Sequence, residues 1–297
     1  MPDLTLNLVY ELNGANVRRV AQALIDGCPN GLPERVVINF SQLGFIKPAG
    51  VTFLSNLILW LKSRNVDVRF DGHTGNTPAL RFLDDSLFFQ QHLGYPLNDR
   101  ACVRSTTLPL MNVHHQDSFA WVRSTLVPWL SSALNVSRPS LYTFQTCVSE
   151  LFNNIKDHSS REIGSVFAQH FPNINRVGIA VADFGRGIPA SVRSVHPDLS
   201  DNEAIKRAVQ ANFTIRSTPG NQGVGLDYLL QSAVTNNGGA VTIYSSTGAV
   251  LFEPSGTGIG TNELPHVGFC PGATIDMWLR TDTIQDLDEE PEVFEWE

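Results

Sequence analysis

Short β-rich runs alternate with helical ones through the first hundred residues. LTLNLVYEL, ERVVINF and VDVRF read as strands, whereas NVRRVAQALID, GVTFLSNLILWLKSRN and PALRFLDDSLFFQQHL carry apolar residues at helical spacing. This alternation predicts an α/β layer with helices packed on a sheet. Within 50–61, Val51, Leu54, Leu57, Ile58 and Leu61 fall on one stripe, so this helix is expected to pack through a single apolar face. The prolines and polar residues of 95–115 (YPLNDRACVRSTTLPLMNVHH) break the alternation. A first domain is therefore predicted at 1–100 and a boundary segment at 101–115.

A second α/β region is predicted at 116–285. Helical patterns cover 116–134 and 140–158, the latter announced by Pro139, which suits a first helical turn. Strand-like SVFAQHF and RVGIAVADF follow, then a short helix (NEAIKRAVQ), a glycine-bounded helix (GLDYLLQSAVTNN) and the strands AVTIYSS, AVLFEP and ATIDMWL. The glycine-rich SGTGIG at 255–260 leads into no helix and reads as a hairpin loop rather than a dinucleotide site.

Composition narrows the function classes. A chain of 297 residues suits two domains of ordinary size, and 42% hydrophobic against 17% charged residues is a globular balance. Seven of the 29 acidic residues lie in 286–297, where there is no base, so the rest of the chain is nearly neutral despite a net charge of −8. An acidic tail on a neutral body gives no footprint for a polyanion, and nucleic acid is a poor match as the main partner. Cys28, Cys102, Cys147 and Cys270 are far apart and form no C-x-x-C pair, which suggests neither a zinc site nor a disulfide framework. The N-terminus lacks a basic leader region, and the most apolar stretch, 49–61, is too short to span a bilayer and contains Ser55 and Asn56. A cytoplasmic protein without membrane segments is expected.

Three segments carry candidate chemistry. On the 140–158 helix, Leu141, Phe144, Val148, Leu151 and Ile155 share one face, while Glu150, Asn154, Asp157 and His158 share another. An amide oxygen is a neutral ligand for Mg2+, and a carboxylate one turn away can accept a proton from a metal-held water or an acceptor hydroxyl. Alone, such a pair is weak evidence, because the polar face of a helix is usually just solvated. Asp183-Phe184-Gly185-Arg186-Gly187-Ile188-Pro189 follows the apolar run 177–182. An acid at a strand end can accept a hydrogen bond from an exocyclic amine, and the glycines let the backbone approach a ligand, although a tight turn alone explains the same residues. Finally, Gly220-Asn221-Gln222-Gly223-Val224-Gly225-Leu226 opens a helix, where exposed backbone N–H groups suit phosphate oxygens.

E-x-x-x-N on a helix, D-x-G-x-G after a strand and G-x-G before a helix, in that order, resemble the three boxes of the GHKL ATP-binding family, shared by histidine kinases, gyrase B and anti-sigma-factor kinases. The resemblance covers roughly 140–279 and implies a Bergerat-type α/β sandwich that binds ATP and Mg2+. By position it implies Asn154 as the Mg2+ ligand, Glu150 as general base and Asp183 on the adenine amine, with Gly185 and Gly187 lining the base pocket. Gly223, Val224 and Gly225 would hold the phosphates, and Asp157 and His158 belong with the nucleotide-binding face. The mobile lid of the family would lie between Gly187 and Gly223, with Arg216 and Ser217 as candidates for the γ-phosphate. The late Gly-Thr of the family is matched by Gly272-Ala273-Thr274, so either Ala273 replaces the threonine or Thr274 serves from a shifted register.

His114 and His115 lack the setting of a phosphoacceptor histidine, and ELFNNIKDH more closely resembles the anti-sigma-factor serine kinases. The stretch 35–70 is similar to STAS domains, the modules such kinases phosphorylate, in which a strand leads into D-S-S-G and a helix. Here those positions read Lys47-Pro48-Ala49-Gly50, without a hydroxyl, which implies a degenerate STAS-like α/β scaffold rather than a substrate. The expected function is a regulatory ATPase or serine/threonine kinase acting on a protein partner, STAS-like or otherwise regulatory, with a homodimer left open. The alternative is a non-catalytic ATP-binding switch working by occupancy, and a third reading is an interaction scaffold with a dead pocket.

Overall fold

The computed structural model describes residues 3–28, 31–158, 163–210, 225–256, 258–265 and 268–287, and for 154–158 and 163 the backbone alone. Alternating strands and helices in the first hundred residues form β1 (Leu4–Asn7), β2 (Glu11–Leu12), α1 (Val17–Gly27), β3 (Arg35–Asn39), β4 (Phe45–Ile46), α2 (Pro48–Lys62), β5 (Asp67–Asp71), α3 (Pro78–Asp85) and α4 (Phe88–Leu93). The strands β1, β3 and β5 pair in parallel in that order, with Leu6 opposite Ile38 and Val36 opposite Val68. Parallel neighbours need a crossover, and α1 and α2 supply it.

The remainder forms β6 (Thr107–His114), α5 (His115–Trp121), α6 (Val127–Leu134), α7 (Tyr142–His158), β7 (Ile163–Phe171), β8 (Arg176–Asp183), α8 (Ile188–Val192), α9 (Asp201–Ala208), α10 (Gly225–Leu230), β9 (Ala240–Ser246), β10 (Gly248–Ser255), β11 (Gly258–Glu263) and β12 (Cys270–Arg280). The helical pattern at 116–134 is broken by a π-helical turn at Val122–Leu126, just ahead of Pro128, which has no N–H for the ladder. The strands make one antiparallel sheet in the order β11-β10-β9-β12-β8-β7-β6. Thus 101–115, expected as a boundary segment, contributes the outermost strand β6. β10 and β11 pair antiparallel on either side of the glycine-rich stretch, with Ser255 opposite Gly258. No helix among the described residues is long and apolar enough to cross a membrane.

Both faces of this seven-stranded sheet are covered, and the side chains of β8 and β12 divide accordingly. Val177, Ile179, Val181, Ala273, Ile275, Met277 and Leu279 enter a core shared with α7, α8, α9 and α10. The opposite face meets the N-terminal layer, whose core takes in Phe167, Tyr244 and Cys270 from the sheet. There β8 presents Gly178, Ala180 and Ala182, small enough for α2 to lie across it; a Cβ at Gly178 would stand 3.2 Å from Pro48 Cγ.

The helix α2 therefore has more than the single packing stripe its sequence suggests. Every residue from Pro48 to Ile58 is buried. Its apolar side fills the N-terminal core, and Thr52, Ser55 and Asn56 face the seven-stranded sheet, where Thr52 Oγ1 lies 3.5 Å from the Ala180 carbonyl and Ser55 Oγ 3.4 Å from Ser165 Oγ. The start of the acidic tail is also tied down. Asp286 accepts hydrogen bonds from the Ser137 amide at 2.8 Å and Ser140 Oγ at 3.1 Å, beside the single turn of 3-10 helix that leads into α7.

Candidate functional site

The apolar, β-branched run before Asp183 makes β8 a central strand and delivers its last residue to the helix-covered face, since Asp183 stands opposite Ala273 of that core. Asp183 is only 7% exposed, and its Oδ1 accepts the Gly185 amide at 2.6 Å, which turns the chain away from the sheet. Burial pushes the carboxyl up to about 6, against the opposing pull of the Gly185 and Ala273 backbone N–H groups.

Two glycines are required by the geometry of this turn. Gly187 has φ +83°, and a Cβ there would meet Ser245 Oγ at 2.9 Å and the Gly272 carbonyl at 3.0 Å. Gly272 has φ +69° at the bulge of β12, so close to the strand end that a Cβ would lie 2.1 Å from the Asp183 carbonyl. Ser245 binds the pieces together: its hydroxyl donates to the Gly272 carbonyl at 2.6 Å and accepts the Ile188 amide at 3.0 Å.

The other candidate elements converge on the same face. Leu141, Phe144, Val148, Leu151 and Phe152 of the α7 segment and Leu226, Leu229 and Leu230 of α10 share the core that contains Val181, Ile188 and Ala273. Half-buried Glu150 lies one helical turn before Asn154 on α7, and Gly225 is the first residue of α10. The side chains of Asn154, Asp157 and His158 lie outside the description, as do Arg216, Ser217, Gly223 and Val224 altogether.

One sequence expectation changes. Thr274 sits on the other face of the sheet from Asp183, fully buried, with its Oγ1 3.5 Å from Cys270 Sγ; Ala273 is the residue beside the acid. The alternation of β12 settles this, because neighbouring residues in a strand point oppositely. The stretch expected as a mobile lid begins with the short helices α8 and α9, and its 211–223 portion lies outside the described residues. Ile188, Val192, Ala204 and Ile205 of α8 and α9 are buried, and Asp201 joins Arg193 at 2.6 Å to the Thr247 amide at 2.9 Å. Burial pushes the Asp201 carboxyl up, but hydrogen bonds from Thr247, Ser246 and Arg193 outweigh it and bring the group down to about 2.

Sequence reasoning missed two contributors to this site. Ser245 is an ordinary strand residue in AVTIYSS, and Asn56, whose Nδ2 donates to the Asp183 carbonyl at 2.8 Å, belongs to the N-terminal layer. No local signal marks either one. A groove of about 460 Å3 in that layer, lined by Thr74, Asn76, Arg81, Asp84 and Asn98, contains none of these residues, and both Asp84 oxygens are already held by the Leu97 and Asn98 amides. The chain matches no model of a known protein family, and a search of curated proteins finds no match.

Proposed function

We propose that the face formed by α7, the Asp183 turn and α10 binds Mg-ATP, and that the protein is a GHKL-type regulatory ATPase or serine/threonine kinase acting on a protein partner. The observation that carries the reading is Asp183: a buried carboxylate at a strand end, on the face of the sheet that α7 and α10 cover. The Gly185 amide already donates to one oxygen of this group; a carboxylate has further acceptor capacity, and an exocyclic amine of a base would supply another donor. Asn154 would hold the metal, which polarises the phosphates when bound. Glu150 would accept the proton of the attacking hydroxyl or water. The N-terminal layer is read as a degenerate STAS-like scaffold, in keeping with its parallel strands and with the entry into α2 through Lys47-Pro48-Ala49-Gly50.

Calorimetry with ATP and Mg2+ on wild type and Asp183→Asn tests the binding. The amide can turn a donor toward the adenine amine, so affinity should fall with the fold intact. Equal affinities would remove the adenine assignment. Incubation with ATP labelled at the γ-phosphate, alone and with candidate regulatory proteins, then separates hydrolysis (label in phosphate) from kinase action (label in protein). Binding without either transfer identifies an occupancy switch.

A further inference from the structure

Asn56 reaches from α2 across the layer interface to the end of β8. Its Nδ2 donates to the Asp183 carbonyl at 2.8 Å and lies 3.5 Å from the Pro271 carbonyl. Both partners are acceptors, which fixes the orientation of the amide. Its Oδ1 is buried with no partner. A half-satisfied buried amide is less favourable than an apolar side chain of the same shape, so packing alone does not account for an asparagine here. What it contacts does. Gly272 follows Pro271 directly, is pressed against the Asp183 carbonyl, and is held on its other side by Ser245, which also holds the first residue of α8.

We propose that Asn56 is a positioning residue for the Asp183 carboxylate, by which the N-terminal layer sets recognition of the nucleotide base on the opposite face of the sheet. This rests on the nucleotide reading above. The backbone carbonyl and the side chain of one residue move together, and a binding group must be held to within about 0.5 Å of its productive geometry. Fixing the carbonyl from behind fixes the carboxylate in front. Adenine recognition and docking of the N-terminal layer are thereby one linked equilibrium.

The test uses the full chain with Asn56→Leu and Asn56→Asp, titrated with a non-hydrolysable ATP analogue and with inorganic triphosphate, each with Mg2+, from pH 5 to 8. Asn56→Leu should bind the analogue about tenfold more weakly, the loss expected for one buried hydrogen bond, while triphosphate affinity stays unchanged. Asn56→Asp can donate only when protonated, so its affinity for the analogue should approach that of wild type at low pH and fall away from it as pH rises. Should Asn56→Leu fail to fold, this pH profile decides the matter. Equal losses for analogue and triphosphate, or variants that bind the analogue like wild type at every pH, would overturn the proposal. If wild type binds neither ligand, the nucleotide reading itself fails. Positioning is then judged by hydrogen exchange at the Gly185 and Ile188 amides, which must accelerate in Asn56→Leu, and unchanged exchange would reject it.

Discussion

Ser245 and Gly272 lie on neighbouring strands, and the 2.6 Å hydrogen bond between them is half of a double link, because the same hydroxyl takes the Ile188 amide at 3.0 Å. Removing the hydroxyl leaves a buried donor and a buried acceptor without their partner. Ser245→Ala should therefore cost about 1–3 kcal/mol, seen in urea unfolding as a lower midpoint at unchanged slope. An unaltered midpoint would mean that the turn does not depend on this link.

Glu150 and Asn154 are one helical turn apart, and the proposed roles predict different failures. Asn154→Ala should remove both Mg2+-dependent ATP affinity and turnover, since the metal bridges protein and phosphates. Glu150→Ala should lower turnover by about 10²-fold or more while leaving ATP affinity within a few-fold. Wild-type turnover in Glu150→Ala would show that the base lies elsewhere.

Two buried groups give opposite pH dependences. Burial, with Lys62 nearby, pushes the His92 imidazole from 6.5 down to about 3, so below 6.5 the unfolded chain takes up a proton that the fold refuses. Its contribution is complete above 6.5 and is lost at about 1.4 kcal/mol per pH unit on acidification. Burial pushes the Asp276 carboxyl from 3.8 up to about 6, so its contribution is complete below 3.8 and is lost as pH rises to about 6. Urea unfolding from pH 4 to 7.5 should show wild type losing ground to His92→Gln as pH falls, and to Asp276→Asn as pH rises. Parallel curves in either comparison would contradict the assignment.

The acidic tail is not a loose appendage from its first residue. Asp286 accepts from Ser137 and Ser140, and the Leu287 amide donates to Ser140 Oγ at 2.8 Å, at the entrance to α7. A chain ending at Gln285 should melt below one ending at Leu287, as differential scanning calorimetry can check. ATP affinity should be the same in both. A truncation at Gln285 with unchanged melting would make these contacts incidental.

The parts of this site that the sequence discloses are those whose chemistry is local. An acid after an apolar run, followed at once by glycines, specifies a strand end and a turn without reference to the rest of the chain, and Asp183 with its Gly185 bond is that turn. β6 escaped because its pairing slips between Leu108 and Met111, where Pro109 lies, which hides the two-residue period. The second face of α2 escaped for another reason. Thr52, Ser55 and Asn56 look like a solvated edge, and the strand that buries them is far away in sequence; Asn56 and Asp183 are 127 residues apart. Nor could spacing show that Thr274 falls behind the sheet, because the bulge before Ala273 sets which residues of β12 look forward.

The double burial of α2 also imposes an order on synthesis. Its contact with Pro271 spans 215 residues, so at ribosomal speed the helix waits roughly 10 to 40 s for that partner after it has itself been translated. During this interval the N-terminal layer can already cover the apolar stripe of α2 with β1, β3 and β5, but the side destined for β8 and β12 faces the cell. Thr52, Ser55 and Asn56 lie on that side. Hydroxyls and an amide there leave the waiting surface more polar than the apolar stripe that the N-terminal layer covers first.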